Sequence, residues 1–239
     1  MKPVAVLQHT PLGAPGTVLP ILAALGCTVQ LVPILDGAPV PTDAAAFSGL
    51  VLMGGYMGVH DDLPWIAQEL ALVRDADARG LPVAGHCLGS QLTALALGGS
   101  VHAHERPEIG WNPLDTADDA CARDWWGPFA GCRLETFQWH GDTFVPPPGA
   151  QQLASAPHCA NQAFVLHGRH LLVQSHLEMT PELVELYLLH NGAQLRRQHA
   201  AGNPAASDPA DLQRDLPART AAMTAALQQL YQRWAQALR

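Results

Sequence analysis

Apolar residues in the first half of the chain follow two alternating spacings. Short continuous apolar runs predict buried strands at residues 4–7, 28–34, 49–53 and 82–86. Between these runs, apolar residues recur at helical spacing, which predicts helices at residues 18–26, 64–80 and 88–97. Strands that alternate with helices indicate an α/β fold, in which helices cover both faces of a mostly parallel central sheet.

A sheet of this kind has a defined place for its ligands. The carboxyl ends of parallel strands meet at one edge, and ligands bind in the crevice just outside them. The loops after residues 8, 53 and 86 should therefore share one rim of the sheet. This expectation depends only on the strand pattern.

The pattern changes in the second half of the chain. Short strands are predicted at residues 134–138, 152–155, 163–166 and 171–174, and a helix from Pro181 to about His190. Residues 200–217 are rich in Ala, Pro and Asp, which is typical of a linker. An apolar stripe then predicts a C-terminal amphipathic helix: Met223, Leu227, Leu230, Tyr231, Trp234 and Leu238. We therefore expect a domain at residues 1–195, with a linker and a helix packed on it at residues 196–239.

Composition and charge narrow the class of protein. Hydrophobic residues make up 48% and charged residues 14%, which is typical of a chain with a large core. The net charge is −8 and no basic run occurs, so neither nucleic acid nor an acidic membrane surface is an expected partner. The apolar run at the N-terminus is too short for a signal peptide, and every other apolar stretch is too short for a membrane helix. We therefore expect a cytoplasmic protein.

One cysteine has a distinctive setting. Gly85, Cys87 and Gly89 have the spacing of a nucleophile elbow and fall where a predicted strand passes into a predicted helix. The glycines leave room for the tight turn, and the helix N-terminus favours a thiolate. The chain has five cysteines and no C-x-x-C pair, which argues against a disulfide framework or a cysteine-rich zinc site. A buried structural cysteine between two packing glycines is the alternative.

A histidine and a glutamate complete a possible triad. His176 ends an apolar strand and Glu178 follows two positions later, so in an extended chain the two side chains point the same way. A carboxylate there would orient the imidazole and stabilise its charged form. The alternative is a strand-end histidine with a solvated glutamate placed before a helix.

An oxyanion site is also needed for such chemistry. Gly54 and Gly55 follow the third strand, on the same predicted rim as Cys87, and glycines let backbone N–H groups approach a ligand closely. The amides of Gly55 and Leu88 are the candidates for holding the oxyanion. The alternative for the paired glycines is a plain turn.

Four segments together resemble the class I (triad) glutamine amidotransferase family, in particular its stand-alone GMP-synthetase-like branch. They are residues 51–55 (VLMGG), 85–91 (GHCLGSQ), 137–142 (FQWHGD) and 173–178 (VQSHLE). The resemblance implies a flavodoxin-like fold, a thioester on Cys87, and His176 as acid and base. It also implies that the substrate is held by Gly54, Tyr56, Gln91, Trp139, His140, Gly141 and Asp142.

The same resemblance implies which molecules take part. The substrate would be glutamine or another γ-glutamyl compound, without a cofactor or a metal. A separate synthetase or acceptor protein would use the ammonia, because no acceptor-activating domain follows in this sequence. Two positions depart from the family pattern: Leu177 stands where proline is usual, and Tyr56 follows Gly54-Gly55 where proline is common.

Three other functions remain open at this point. The same triad could hydrolyse γ-glutamyl bonds in small peptides, because only the leaving amine differs. The fold could also serve a non-catalytic binding or regulatory protein. A metal hydrolase would need His102 and His104, or His140 and Asp142, as ligands, but each pair lacks a third ligand at a telling spacing.

Overall fold

The computed structural model describes residues 2–239, which form one nine-stranded mixed sheet and six α-helices. The strands are β1 (Val4–Gln8), β2 (Val29–Pro33), β3 (Gly49–Leu52), β4 (Val83–His86), β5 (Ser100–Thr116), β6 (Arg133–Val145), β7 (Gln151–Ser155), β8 (Ala163–Leu166) and β9 (His170–Val173). The helices are α1 (Val18–Ala24), α2 (Pro64–Ala78), α3 (Leu88–Ala96), α4 (Ala120–Trp126), α5 (Pro181–Ala200) and α6 (Leu216–Ala235).

One half of the sheet is parallel. Its strands lie in the order β2-β1-β3-β4-β9, and every adjacent pair is parallel. This is the flavodoxin-like order, with β9 in the place of the fifth strand. The predicted α/β fold, with helices on both sides of the sheet, is confirmed. The continuous apolar strands are fully buried because helices cover both faces.

The other half of the sheet, from β9 through β8 and β7 to β5 and β6, is antiparallel. Strand β5 was not predicted, although it pairs along almost its whole length with β6. Its first part is polar and contains Pro107, and the register with β6 shifts between Ala103 and Glu108. A polar segment that contains proline lacks the hydrophobic pattern by which strands are predicted. Here the strand forms because its backbone pairs with β6.

The C-terminal region packs on the sheet and its helices. Residues between α5 and α6 lie along β5: Ala206 forms a bridge with Ile109, and the Leu212 carbonyl accepts a hydrogen bond of 2.9 Å from Trp111 Nε1. In α6, Tyr231 and Trp234 are fully buried. The proline-rich segment, expected to behave as a linker, is thus held by specific contacts.

None of the helices in the described residues has the length and apolar character that crossing a bilayer requires.

Candidate active site

Cys87 lies on the sharp turn between β4 and α3. Its backbone angles, φ 48° and ψ −109°, are rare for a residue with a side chain. A methyl group on Gly85 would lie 2.6 Å from the carbonyl carbon of Gly89, and one on Gly89 would lie 2.0 Å from the Leu52 carbonyl oxygen. The predicted steric reason for the two glycines therefore holds, and the tight packing keeps Cys87 in its strained conformation.

The structure brings Cys87, His176 and Glu178 together. His176 Nδ1 lies 2.7 Å from Glu178 Oε1, and both side chains are almost fully buried. The other ring nitrogen, Nε2, is buried without a hydrogen-bond partner among the described residues. The Cys87 thiol is near enough to influence the titration of the imidazole. Hydrogen bonds between nucleophile and base are often loose without substrate and tighten when it binds.

The environment favours a charged His176–Glu178 pair. Burial alone lowers the pKa of His176, but the neighbouring Tyr187, Glu178 and Cys87 outweigh it and raise that pKa well above its ordinary value. Burial alone raises the pKa of Glu178, but the charge and hydrogen bond of His176 and the hydrogen bond of His86 hold it well below its ordinary range. An imidazolium beside a cysteine favours the thiolate form that nucleophilic attack requires.

Two backbone hydrogen bonds fix the chain on either side of Leu177. The His176 N–H donates to the Phe137 carbonyl at 2.8 Å, and the Glu178 carbonyl accepts from the Thr17 N–H at 3.0 Å. Leu177 itself is fully buried. These contacts hold the turn between His176 and Glu178, so leucine here leaves both side chains in place.

The proposed oxyanion residues lie beside the cysteine. A methyl group on Gly54 would come within 3.1 Å of His176 Cε1 and 3.6 Å of Cys87 Cβ, so a side chain here would press on both of these residues. Gly55 lies against Leu88, the first residue of α3. The first N–H groups of a helix have no acceptor within the helix, so the Leu88 amide can serve a ligand.

A cavity of about 350 Å³ opens in front of Cys87. Residues of the loops after β1, β3 and β4 line this cavity, as the strand pattern predicts. Eight of the predicted site residues line it: Gly55, Tyr56, Cys87, Gln91, Trp139, His140, Gly141 and Asp142. The other four, Gly54, Leu88, His176 and Glu178, are not part of the lining and lie behind it.

Sequence reasoning missed one wall of this cavity. Helix α5 contributes Tyr187, Asn191 and Gln194, which recur at helical spacing on one face. Gln194 Oε1 accepts a hydrogen bond of 2.9 Å from Trp139 Nε1, and burial raises the pKa of Tyr187 to about 12. The helical spacing of these polar residues was the signal available in the sequence.

The wall formed by residues 139–142 is held by buried polar contacts. Gln91 Nε2 donates to the Asp142 carbonyl at 3.2 Å, and His140 Nδ1 donates to the same carbonyl at 2.9 Å. His140 Nε2 lies 2.9 Å from Glu108 Oε2, which also accepts from Gln162 at 2.6 Å. Strand β5 therefore helps to fix the substrate-facing backbone.

Two groups of side chains in the described residues have metal-ligand geometry. They are Asp77 with His167 and His170, and Glu108 with His140 and Cys159. Neither contains His102, His104 or Asp142, so the metal-hydrolase ligand pairs considered from the sequence do not assemble. In both groups the ligand atoms already bond to protein partners.

Comparison with known proteins assigns the family. The sequence model of the glutamine amidotransferase class-I family matches residues 17–194. The chain belongs to the class I glutamine amidotransferase family. Its structure is similar to that of a glutamine amidotransferase from Methylobacillus flagellatus, with a TM-score of 0.95 and 36% identity, covering 100% of this chain and 96% of that chain.

Two curated relatives indicate the branch of the family to which the chain is similar. A Salmonella typhimurium protein described as glutamine amidotransferase-like, YfeJ, is 31% identical over 176 residues, 71% of this chain and 73% of that protein. The GMP synthase of Psychrobacter arcticus is 32% identical over 142 residues, 58% of this chain. The match covers only 25% of that synthase, so the chain spans about a quarter of it. The resemblance to the GMP-synthetase-like branch is confirmed.

Proposed function

We propose that this protein hydrolyses the side-chain amide of glutamine and releases ammonia for a separate acceptor. One observation carries the proposal: a cysteine on a strained elbow opens onto a cavity, with a buried histidine–carboxylate pair directly behind it. Family membership supports the same reaction.

The proposed reaction proceeds through a thioester. The Cys87 thiolate attacks the amide carbon, and the amides of Gly55 and Leu88 stabilise the tetrahedral oxyanion. The His176 imidazolium gives its proton to the departing nitrogen, which leaves as ammonia. His176 then takes a proton from water, the water attacks the thioester, and glutamate and the thiolate are regenerated. Glu178 stabilises the charged imidazole between these steps.

The cavity wall supplies the proposed substrate contacts. Gln91 and the backbone of residues 139–142 would hold the amino and carboxylate groups of glutamine, with Gly54 and Tyr56 beside the reacting amide.

The synthase relative supports a partner synthetase that consumes the ammonia. Five free cysteines fit a reducing compartment, so we place the protein in the cytoplasm.

The decisive test is ammonia release from glutamine by the purified protein and by Cys87→Ala. We expect release to fall at least about a thousandfold in the variant, because the covalent route is lost. Cys27→Ala is the matched control, since Cys27 is a free cysteine outside the cavity, and it should retain activity. Equal release by Cys87→Ala and the unchanged protein would overturn the mechanism.

A γ-glutamyl peptide is the second candidate substrate, because Tyr56 is 80% exposed at the cavity wall and offers an aromatic surface to a larger leaving group. Hydrolysis of a γ-glutamyl dipeptide without hydrolysis of glutamine would favour this function. In that case Tyr56→Ala should raise KM for the dipeptide. A protein that turns over neither substrate, alone or with a synthetase, would be a binding or regulatory protein.

A further inference from the structure

Helix α6 lies outside residues 17–194, the part of the chain that matches the family. One of its side chains nevertheless reaches the candidate triad. The Tyr231 hydroxyl lies 2.8 Å from His86 Nε2, and His86 immediately precedes Cys87 at the end of β4. Both side chains are fully buried.

His86 in turn holds the carboxylate of Glu178. His86 Nδ1 lies 3.2 Å from Glu178 Oε2, while His176 Nδ1 lies 2.7 Å from Glu178 Oε1. Each carboxylate oxygen therefore has its own histidine. The planar carboxylate is fixed at two points, which sets the direction in which Oε1 meets His176.

With a neutral His86, the hydrogen bonds fit only one arrangement of protons. A carboxylate only accepts, so His86 must carry its proton on Nδ1 to donate to Glu178. A neutral His86 then has a lone pair on Nε2, which accepts the proton of the Tyr231 hydroxyl. With the other tautomer, the Nδ1 lone pair would face the carboxylate oxygen at 3.2 Å. Burial, together with the charge of Glu178, raises the pKa of Tyr231 well above its ordinary value, so the hydroxyl keeps its proton.

We infer that Tyr231 and His86 are positioning residues for the triad: Tyr231 donates to Nε2 and holds the His86 ring in place, and His86 orients Glu178 toward His176. The inference rests on the proposed function for its catalytic meaning. It makes α6 a part of the active site and not only a cover for the core. Removal of the Tyr231 hydroxyl should therefore change catalysis without changing substrate binding.

Tyr231→Phe tests this directly, because it removes one oxygen and keeps the ring. We expect kcat for glutamine to fall on the order of tenfold, the range for one lost hydrogen bond in a chain that ends on a charged group, with KM unchanged. Trp234→Phe is the matched control. It alters a buried aromatic residue of the same helix, 5.4 Å from the Tyr231 ring, which makes no hydrogen bond to His86. Equal losses in the two variants would overturn the inference in favour of packing.

A second pair of variants separates an effect that passes through His86 from general disruption. His86→Asn keeps an amide N–H near the position of Nδ1 and removes the ring nitrogen to which Tyr231 bonds. This variant should lose about as much of kcat as Tyr231→Phe does, and Tyr231→Phe added to it should cause no further loss in kcat. A tenfold loss from Tyr231→Phe in both backgrounds would contradict the inference, because the effect would not pass through His86.

Alkylation of Cys87 by iodoacetamide gives a readout that does not depend on turnover. We expect the pH profile of alkylation to move in Tyr231→Phe and to stay unchanged in Trp234→Phe. If the unchanged protein hydrolyses no glutamine while this profile still moves, the proposed function fails and the positioning role stands. An unchanged pH profile of alkylation in Tyr231→Phe would overturn the positioning role. The ionisable groups that meet here are Cys87, His86, His176, Glu178, Tyr187 from α5 and Tyr231 from α6.

Discussion

Strands β4 and β9 run side by side, and a carboxylate held by two histidines lies at each end of the pair. Beyond the carboxyl ends, Glu178 bonds to His176 and His86. At the amino ends, Asp77 lies 2.9 Å from His170 and 3.1 Å from His167. The two clusters use the same residue types at the two ends of this strand pair, yet the pKa of His176 is raised and that of His170 is lowered.

The surroundings explain the difference. At the amino ends, Arg169 also reaches Asp77, and the Val83 N–H donates to His170 Nδ1, so a proton on that nitrogen would break a hydrogen bond. Burial, against a smaller effect of Asp77, lowers the pKa of His170 to about 4. Glu178 has no arginine or lysine partner in the described part of the chain, and the pKa of His176 is raised. In this protein burial keeps the histidine beside Asp77 neutral, and Arg169 adds to that effect, whereas the carboxylate of Glu178 faces only histidines.

The largest expected effect is a difference in activity between variants of His176 and variants of His170. His176→Asn should lower kcat/KM for glutamine by about a thousandfold or more, because general acid–base catalysis is lost. His170→Asn should leave kcat/KM within experimental error. Steady-state ammonia release measures both. A comparable loss in the two variants would show that the ends of the strands do not differ in function.

Next in size is the effect of the two carboxylates. Glu178→Gln keeps the shape but removes the charge and one acceptor oxygen, so we expect a loss of about a hundredfold to a thousandfold in kcat. Asp77→Asn should lower stability and leave kcat unchanged, because Asp77 lies at the opposite end of the strands from Cys87. Activity and urea denaturation on the same samples distinguish these results.

A smaller effect concerns stability and pH. His170 has a folded-state pKa of about 4, below its ordinary 6.5, so the unfolded chain binds the extra proton first. The contribution is fully present above pH 6.5 and is lost as the pH falls toward 4, which amounts to roughly 3 kcal/mol. Urea denaturation at pH 7 and pH 4.5 should show a smaller pH dependence in His170→Gln than in the unchanged protein. The same slope in both would assign the loss to other groups.

The smallest effect is on the ionisation of His170 itself. Arg169 contributes to lowering the pKa of His170 through its charge. Arg169→Gln should therefore raise the pKa of His170, as measured by NMR titration of the ring, with no change in activity. An unchanged pKa would mean that burial alone keeps this histidine neutral.

The parallel half of the fold and the centre of the candidate site could be predicted from sequence because both depend on local patterns. Continuous apolar runs identify buried strands in any context. The glycines around Cys87 reflect the backbone of a single turn, and His176 and Glu178 are two residues apart in extended chain. In each case neighbours along the chain carry the information.

The tertiary structure alone determined the rest. The polar strand β5 depends on β6 for its order, and the α5 wall of the cavity depends on where that helix packs. His86 and Tyr231 are 145 residues apart, so no local pattern connects them. Asp77 meets His170 across 93 residues. Whether a buried histidine is charged depends on its partners in space, because a carboxylate, an arginine or a backbone N–H a few ångströms away changes the balance. The sequence by itself determined which residues could form the triad, and the packing of distant segments determined the charge and orientation of its members.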